Sequence, residues 1–223
     1  MATAAGSLLA SDGPLGIVVG LEAEAQIARH FGVPVEVGGG RAEGAAAACS
    51  RLIEQDVSGL ISFGLAGGLD PALAPGTVLV PFAVLLEAER WDADGAMIQR
   101  LGGATPGAIY GGGQIVASAA AKAALHARTG AVAVDLESAA LARSARQHGL
   151  PFAVLRAVCD GAARDLPRAA LVALDGAGRI GALRVALAAL SRPWQLPGLI
   201  RLGGDAARAR SALVTRVRAI GRL

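Results

Sequence analysis

The chain has 223 residues, of which 53% are hydrophobic, 17% charged and only 3% aromatic. This length suits one domain with a full core and is short for two. Because so few rings are present, a nucleic-acid stacking platform is not expected. The two cysteines, Cys49 and Cys159, have no CxxC partner and no His/Cys cluster at metal-ligand spacing. We therefore expect neither a disulfide framework nor a metal site.

The net charge of +3 hides an asymmetry along the chain. Residues 1–178 hold 12 Lys+Arg and 17 Asp+Glu, a net of −5, whereas residues 179–223 hold 9 Arg and 1 Asp, a net of +8. A basic terminal segment of this kind is typical of a surface that meets phosphate groups. The N-terminal residues lack a basic stretch followed by a continuous apolar one, and no run of about 18 apolar residues follows. We therefore expect a cytoplasmic protein.

Short apolar runs and helical segments alternate along the chain. The runs are bounded by Gly, Pro or an acid and predict buried strands: GIVVG (16–20), GLISFG (59–64), GTVLVP (76–81), GAVAVD (130–135) and PFAVLRAVCD (151–160). The segments between them predict helices: EAEAQIARHFG (22–32), AEGAAAACSRLIEQ (42–55), VASAAAKAALHARTG (116–130) and ESAALARSARQHG (137–149). This alternation predicts a single α/β domain over 1–223, a three-layer sandwich with a mostly parallel or mixed central sheet.

A basic helical segment is predicted at about 193–223. Between Asp205, a candidate helix cap, and Gly221, a candidate helix end, apolar residues recur at spacings of three and four: Ala206, Ala209, Leu213, Val217 and Ile220. Most of the arginines fall off this stripe. Two interpretations stay open: a helix packed on the domain with a solvated Arg face, or a surface that uses Trp194 and PGLI (197–200) to meet anionic phospholipid.

Acids and glycines stand where the predicted strands end, which is where α/β folds bind ligands. They are Glu22 and Glu24, the cluster GLAGGLD (64–70), GGGQ (111–114), Asp135 with Glu137, and Asp160. GLAGGLD does not have GxGxxG spacing, so it is either a backbone cradle for a ligand or a tight strand-to-helix turn. Asp135 is expected to accept from the amides of the helix that follows.

Glu137 and Asp160 follow apolar strands and are expected to be buried in a cleft, where each carboxylate needs a partner. A ligand is one candidate. Arg156 is the other, since strand periodicity places it on the same face as Asp160. Lys122 is the only lysine and is not preceded by a P-loop pattern, so neither a P-loop nor a Schiff-base mechanism is expected.

Three segments together carry a family resemblance: VVGLEAEA (18–25), SFGLAGGLDPALAPGTVLVP (62–81) and AVDLESAALARSARQHGLPFAVLRAVCD (133–160). In this order they resemble the purine nucleoside phosphorylase and nucleosidase superfamily, especially the branch with methylthioadenosine/S-adenosylhomocysteine nucleosidase. The short chain and its Arg-rich tail further resemble the hopanoid-associated phosphorylase/nucleosidase subfamily. The resemblance implies an enzyme that cleaves the N-ribosyl bond of an adenosine-like nucleoside and releases adenine, converting adenosylhopane to ribosylhopane. Alternatives are a methylthioadenosine/S-adenosylhomocysteine nucleosidase and a non-catalytic nucleoside-binding module.

The resemblance also implies roles for particular residues. Asp160 would protonate the leaving base, Glu137 would hold the ribose hydroxyls, and Glu24, with Glu22 as the weaker candidate, would activate water. The remaining contacts would be Leu136 against the sugar face, Gln114 and Ile115 at the base, and Leu65, Ala66 and Gly67 on the sugar side.

The resemblance implies no cofactor, with phosphate as the alternative nucleophile to water. GLAGG lacks the cation that phosphorolytic relatives carry there, which favours hydrolysis. The implied partners are the nucleoside, lipid-linked in the hopanoid interpretation, and a second copy of the chain in a homodimer. Nucleic acid is not expected, and the basic segment would touch the inner face of the membrane peripherally.

Overall fold

The computed structural model describes residues 13–167 and 196–223. Its strands are β1 Leu15–Val19, β2 Val35–Val37, β3 Gly59–Gly68, β4 Val78–Leu79, β5 Ala83–Leu86, β6 Glu89–Asp92, β7 Ile109–Gly111, β8 Ala133–Asp135 and β9 Phe152–Asp160. Its α-helices are α1 Glu22–Ala28, α2 Ala42–Ile53, α3 Gly95–Arg100, α4 Ala119–Thr129, α5 Ser138–Gln147 and α6 Leu196–Ile220. A 3₁₀ turn, Arg29–Phe31, continues α1. Every predicted strand and helix is present.

The strands form one mixed sheet in the order β2-β1-β3-β8-β7-β5-β6, and β9 pairs with β3 and β4. The pairs β1–β2, β1–β3, β3–β9, β5–β7 and β7–β8 are parallel. The pairs β3–β8, β4–β9 and β5–β6 are antiparallel. Strand β3 is central because it contacts β1, β8 and β9 at once. The predicted mixed sheet is therefore confirmed.

Helices cover both faces of the sheet. On one face α2 and α5 pack over a core cluster that includes Leu52 and Leu141. On the other, α1, α3 and α6 cover a second cluster that includes Phe63 and Leu213. Strand β1 is buried along its whole length, which explains its continuous apolar sequence. The three-layer arrangement follows from strands that must bury both faces.

A bulge interrupts the pairing of β9 with β3 close to the carboxyl ends of both strands. Val158 pairs with Ala66, but the next residue of β3, Gly67, pairs with Asp160, so Cys159 is an extra residue. A bulge of this kind shifts the two-residue alternation of side chains between faces. The side chains before and after Cys159 therefore no longer follow one periodic pattern.

Helix α6 differs from the prediction at its start. It begins at Leu196, so Asp205 lies inside the helix and is not its cap. Asp205 is instead buried and paired with Arg164 and Arg208, the latter at 2.9 Å. The predicted end is confirmed, since Gly221 follows the helix with a φ of +80°. Trp194 lies outside the described residues.

The predicted apolar stripe of α6 faces the domain. Ala209, Leu213 and Val217 are buried on it, and Ile220 packs at its edge. Arg201 and Arg218 are exposed on the opposite side. Among the described residues, no helix is both long and apolar enough to cross a membrane.

Leu213→Ala should lower the free energy of unfolding by about 2–5 kcal/mol, because it leaves a cavity between α6 and the sheet. Urea denaturation followed by circular dichroism measures this change. Ile200→Ala is the matched control on the same helix: Ile200 is 75% exposed, and its loss should change the free energy by no more than about 0.5 kcal/mol. Equal effects of the two substitutions would contradict the packing of α6.

Candidate functional site

A cavity of about 490 Å³ lies beyond the carboxyl ends of β1, β3, β8 and β9. Its lining combines acids with a largely apolar wall. The polar residues are Glu24, Gln114, Asp135, Glu137, Arg156, Cys159, Asp160 and Arg210. The apolar wall includes Leu21, Leu65, Val116, Val134, Leu136, Leu166, Leu199 and Leu202. The cavity thus lies where the topology of the fold predicts a ligand site.

All nine residues predicted for the site line this one cavity: Glu24, Leu65, Ala66, Gly67, Gln114, Ile115, Leu136, Glu137 and Asp160. The structure brings them together from five separate segments, and the role of each remains a prediction. Glu22, the weaker candidate for the base, is not part of the lining. Its side chain is half exposed and pairs with Arg29 at 2.8 Å.

Arg156 is the centre of one buried cluster in the cavity. Its side chain is 1% exposed, and its guanidinium lies 2.7 Å from Asp135 Oδ2 and 3.1 Å from Glu137 Oε2. It also donates to Ser62 Oγ at 2.6 Å. Burial acts to lower the pKa of Arg156, but the carboxylates of Asp135, Glu137 and Glu24 raise it. The arginine is therefore a fixed positive charge among acids.

Glu24 lies in the first turn of α1, and its carboxylate accepts hydrogen bonds from three backbone amides. Its Oε2 accepts from Gly20 N at 3.0 Å and from Leu21 N at 2.8 Å, and its Oε1 accepts from Leu65 N at 2.8 Å. Burial raises the pKa of Glu24, although Arg156 and these amides act in the opposite direction. A buried carboxylate whose pKa is raised is a better proton acceptor than an exposed one, which suits a general base.

Glu137 offers an unused acceptor to the cavity. Its Oε2 is bound to Arg156, but its Oε1 is buried and has no hydrogen-bond partner among the residues that the structure describes. Burial raises the pKa of Glu137 to about 7; Arg156 opposes this shift, while Glu24 and Asp135 add to it. A buried polar atom without a partner is costly, so a donor that reached this oxygen would stabilise the site.

Two glycines make the close approach of these side chains possible. A Cβ on Gly20 would lie 2.6 Å from Glu137 Oε1. A Cβ on Gly64 would lie 2.5 Å from Glu24 Oε1 and 2.7 Å from an Arg156 nitrogen, and Gly64 has a φ of +149°. GLAGGLD therefore begins as the end of strand β3 and not as a tight turn to a helix. Its glycines admit charged side chains against the backbone.

Asp135 is the last residue of β8; it binds the first amide of helix α5 and also belongs to the arginine cluster. Its Oδ1 accepts from Ser138 N at 3.1 Å, so the predicted contact with the helix amides is confirmed. Its Oδ2 accepts from the Ser138 hydroxyl and lies against Arg156. By fixing the first turn of α5, Asp135 fixes the backbone from which Glu137 projects.

Asp160 is paired with Lys122, so Arg156 as its candidate partner is wrong, whereas Arg156 does pair with Glu137. Lys122 Nζ donates to Asp160 Oδ2, and both side chains are buried. The bulge at Cys159 explains the error, because strand periodicity does not extend from Arg156 to Asp160 across an extra residue. Cys159 donates to Asp160 Oδ1 at 3.2 Å, and burial raises the pKa of its thiol well above the usual value.

Sequence reasoning missed the contribution of two elements. The first is Lys122 of α4, which shares the buried face of that helix with Leu125. A single lysine three residues before a buried leucine in an Ala-rich helix was the available signal. The second is the start of α6, whose Leu199, Leu202 and Ala206 line the cavity. Their sequence gave no sign of which part of the domain α6 covers.

Comparisons with known proteins agree with this architecture. Residues 96–190 match the family model described as the phosphorylase superfamily, whereas no curated protein sequence matches the chain. The fold is similar to that of a 5′-methylthioadenosine/S-adenosylhomocysteine nucleosidase from Neisseria meningitidis in complex with methylthio-immucillin-A, with a TM-score of 0.64, 20% identity, and coverage of 92% of this chain and 99% of that one. It is also similar to the futalosine hydrolase of Helicobacter pylori strain 26695, with a TM-score of 0.65, 17% identity, and coverage of 93% and 98%. The solved structures confirm the predicted fold, and the family match over residues 96–190 agrees with the predicted superfamily.

Glu137→Gln should remove part of the pH dependence of stability. The raised pKa means that Glu137 ionises near pH 7 in the folded chain but near its ordinary value of 4.5 when unfolded. The wild type therefore loses stability as the pH rises from about 4.5 to about 7, and the variant lacks this loss. The free energy of unfolding of the variant, relative to the wild type, should increase between about pH 5 and about pH 8 by on the order of 1–3 kcal/mol.

Urea denaturation at each pH measures this difference. Glu22→Gln is the matched control, because Glu22 is half exposed and lies outside the cavity. Its curve should run parallel to that of the wild type. A parallel curve for Glu137→Gln as well would show that Glu137 does not titrate in this range in the folded chain.

Proposed function

We propose that this chain, which has the nucleosidase fold and matches the phosphorylase superfamily, hydrolyses the N-ribosyl bond of an adenosine-like nucleoside and releases adenine. The observation that carries the proposal is the presence of two buried acidic centres in one cavity. One is Glu24 and Glu137 around Arg156, and the other is Asp160 with Lys122.

The two centres are separated along strand β3. Gly64 lies against Glu24 and Arg156, whereas Gly67 lies against Asp160. Three residues of strand correspond to about 10 Å. A ligand that contacts both centres must carry hydrogen-bonding groups at two ends, with an apolar or flat part between them. A nucleoside meets this requirement, with its ribose at one centre and its base at the other.

The arginine cluster suits the ribose and the attacking water. As the bond to the base breaks, positive charge develops on the ribosyl ring, and carboxylates placed beside it stabilise that charge. The free Oε1 of Glu137 can accept from a ribose hydroxyl. Glu24 can take the proton of water as the oxygen bonds to the anomeric carbon.

The pair of Lys122 and Asp160 suits the leaving base. The electron pair of the broken bond goes to the base, which then takes up a proton. The buried pair holds one proton that it can give up through Asp160, and solvent restores this proton after the products leave. Water thus contributes hydroxide to the sugar and, in net balance, a proton to adenine.

The charge of the arginine cluster favours water over phosphate as the nucleophile. Arg156 already pairs with the carboxylates of Asp135 and Glu137, so its guanidinium is not free to hold a phosphate dianion. Water carries no charge and can donate hydrogen bonds to these carboxylates.

The apolar wall supports the more specific substrate, an adenosine linked at its 5′ position to a hopanoid lipid. Leu166 and the α6 residues Leu199 and Leu202 line the cavity. On the same helix turns, Leu196 and Ile200 are 42% and 75% exposed. Apolar residues at the start of α6 thus lie both in the cavity and on the adjoining surface, which suits a large apolar substituent. A soluble thioether nucleoside is the alternative, since one of the similar structures is a methylthioadenosine/S-adenosylhomocysteine nucleosidase.

Purified protein should release adenine from adenosine-type nucleosides in phosphate-free buffer, with a free sugar as the second product. Asp160→Asn should lower kcat/KM by about 10²–10⁴, because an amide cannot transfer the proton. Asp165→Asn is the matched control: it changes an exposed carboxylate of the same segment, which accepts from Ala119 N. Chromatography of adenine and of the sugar measures both results.

A requirement for phosphate, with a sugar phosphate as product, would replace hydrolysis by phosphorolysis. Undiminished adenine release by Asp160→Asn would remove Asp160 from the mechanism. If the protein binds nucleosides but releases no adenine, the non-catalytic alternative is correct. The kcat/KM for adenine release from methylthioadenosine, compared with that from a lipid-linked adenosine, shows which of the two the enzyme prefers as its substrate.

The basic face of α6 should bind anionic vesicles if the substrate is taken from a membrane. Arg201 and Arg218 are exposed on this helix, and Ile200 is exposed near its start. Each arginine near the membrane surface should contribute about 1 kcal/mol to the free energy of vesicle binding. Because salt screens this attraction, the binding should weaken as the salt concentration rises. Co-sedimentation with vesicles of increasing anionic content measures it, with Arg201→Gln and Arg218→Gln combined as the test and Arg29→Gln as the matched control. Equal vesicle binding by the wild type, the double variant and Arg29→Gln would contradict a membrane-binding role for the basic face of α6.

A further inference from the structure

Four polar side chains next to the cavity form a closed ring, which we call the serine ring. Arg156 Nη2 donates to Ser62 Oγ at 2.6 Å, and the hydroxyls of Ser62 and Ser138 lie 2.9 Å apart. The hydroxyl of Ser138 donates to Asp135 Oδ2, which lies 2.7 Å from Arg156 Nη2 and closes the ring. Asp135 and Arg156 line the cavity, and the two serines are fully buried beside them.

The two charged members fix the direction of every hydrogen bond in the serine ring. A guanidinium has only donors, so Ser62 accepts from Arg156. A carboxylate has only acceptors, so the single proton of Ser138 is given to Asp135. Ser138 must therefore accept from Ser62, which uses the single proton of Ser62. The ring is thus one ordered chain of donors from Arg156 to Asp135.

The ring also determines what Arg156 gives to Glu137. Nη2 of Arg156 carries two hydrogens but lies near three oxygens: Ser62 Oγ at 2.6 Å, Asp135 Oδ2 at 2.7 Å and Glu137 Oε2 at 3.1 Å. Because Ser138 supplies the hydrogen bond to Asp135, the two hydrogens of Nη2 serve Ser62 and Glu137. Glu137 is the farthest of the three oxygens, so its contact weakens first if Nη2 turns.

A merely structural role explains the two hydroxyls poorly. Asp135 Oδ1 already holds the start of α5 by accepting from Ser138 N at 3.1 Å and from Glu137 N at 3.4 Å. Strands β3 and β9 are joined through their backbones over most of their length. Burying a hydroxyl is costly, and Ser62 interrupts the apolar sequence of β3. The helix start and the sheet are therefore fixed without these hydroxyls.

We propose that Ser62 and Ser138 are positioning residues, which hold the guanidinium of Arg156 so that it binds one oxygen of Glu137 and leaves the other for a ribose hydroxyl. This inference rests on the proposed function, because it takes the ribose to lie at Glu137. Loss of the Ser138 hydroxyl removes the hydrogen bond of Asp135, and loss of the Ser62 hydroxyl frees a hydrogen of Nη2. Either change turns Nη2 toward Asp135, the nearer carboxylate, and away from Glu137.

The position of Arg156 affects the ionisation of Glu137. Burial raises the pKa of Glu137 to about 7, and the charge and hydrogen bond of Arg156 oppose this rise. Glu137 also faces Glu24 of α1, Asp135 of β8 and Cys49 of α2, and burial raises the pKa of that thiol to about 11. Of these four groups, Arg156 alone favours the ionised form of Glu137. A weaker contact with Arg156 should therefore raise the pKa of Glu137 further.

The first experiment measures kcat/KM for adenine release between pH 5 and pH 9, with the nucleoside that the wild type cleaves fastest. At pH 7, Ser138→Ala should lower kcat/KM about fivefold, because a rise of about 1 in the pKa of Glu137 leaves roughly a tenth of it ionised instead of half. At pH 9 the variant should recover to within about twofold of the wild type, since Glu137 is then ionised in both. A merely structural defect would lower kcat/KM by the same factor at every pH.

Two further variants test the ring as a unit. Ser62→Ala opens it at another member and should show the same loss at pH 7 and recovery at pH 9, which keeps the test valid if Ser138→Ala fails to fold. The double variant should differ from the single variants by no more than about twofold, because the ring is already open in each. Ser50→Ala is the control: Ser50 is exposed and donates to Ala46 O at 3.2 Å within α2, so its pH profile should match that of the wild type.

A second experiment needs no substrate and measures the free energy of unfolding by urea denaturation at each pH. A folded-state pKa above the unfolded value makes stability fall as the pH rises, and the fall ends above the folded-state pKa. The fall due to Glu137 should end near pH 8 in the wild type and about 1 pH unit higher in the Ser62 and Ser138 variants.

A pH dependence in the Ser62 and Ser138 variants that matches the wild type, in either experiment, would overturn the inference. If the wild type releases adenine at the same time, the proposed function stands and only the role of the serine ring is lost. Failure of the proposed function has a different result: the wild type would release no adenine at any pH, while the stability curves of the variants would still differ from that of the wild type.

Discussion

The buried ion cluster around Arg156 is the interaction on which the rest of the site depends. One guanidinium, 1% exposed, contacts Asp135 and Glu137 and acts on Glu24. Removing the cation would leave three carboxylates in an apolar environment, which is far more costly than the net contribution of any one pair. The cluster therefore joins the ends of β1, β3, β8 and β9, because each of these strands or the turn after it supplies a charge or the backbone beside one.

The same cluster shows why the site is not simply an element of stability. Glu137 keeps an unpartnered oxygen, and Glu24 and Glu137 both have raised pKa values. A fold selected for stability alone would satisfy that oxygen or replace the acids by apolar residues. Both acids line the cavity, so the cost of their burial falls where the proposed function places the ribose and the attacking water.

The ion pair of Lys122 and Asp160 differs from the Arg156 cluster in the parts of the chain that it connects. Lys122 saturates its donors on Asp160 and on the segment that follows, and Arg164 of that segment reaches Asp205 of α6. The charge of Asp160 is thus connected to the helix that supplies much of the apolar wall of the cavity. The start of α6 and the acid at the end of β9 line the same cavity, so under the proposed function one substrate would contact both.

The sequence by itself determined the alternation of strands and helices and the mixed α/β fold, because apolar periodicity is a local property of the chain. Its pattern also placed Glu24, Glu137 and Asp160 after predicted strands, whereas the other six residues expected at the site came from the family resemblance. The sequence did not predict the short strands β2, β5, β6 and β7, because strands of three or four residues are too short to show a clear alternation of apolar and polar side chains. The partner of Asp160, the burial of Lys122 and the place of α6 were decided only by the tertiary structure. Each depends on contacts between distant segments, and a single extra residue, Cys159, was enough to shift the side chains of β9. Periodicity fixes which face a side chain takes only while the register of its strand is unbroken.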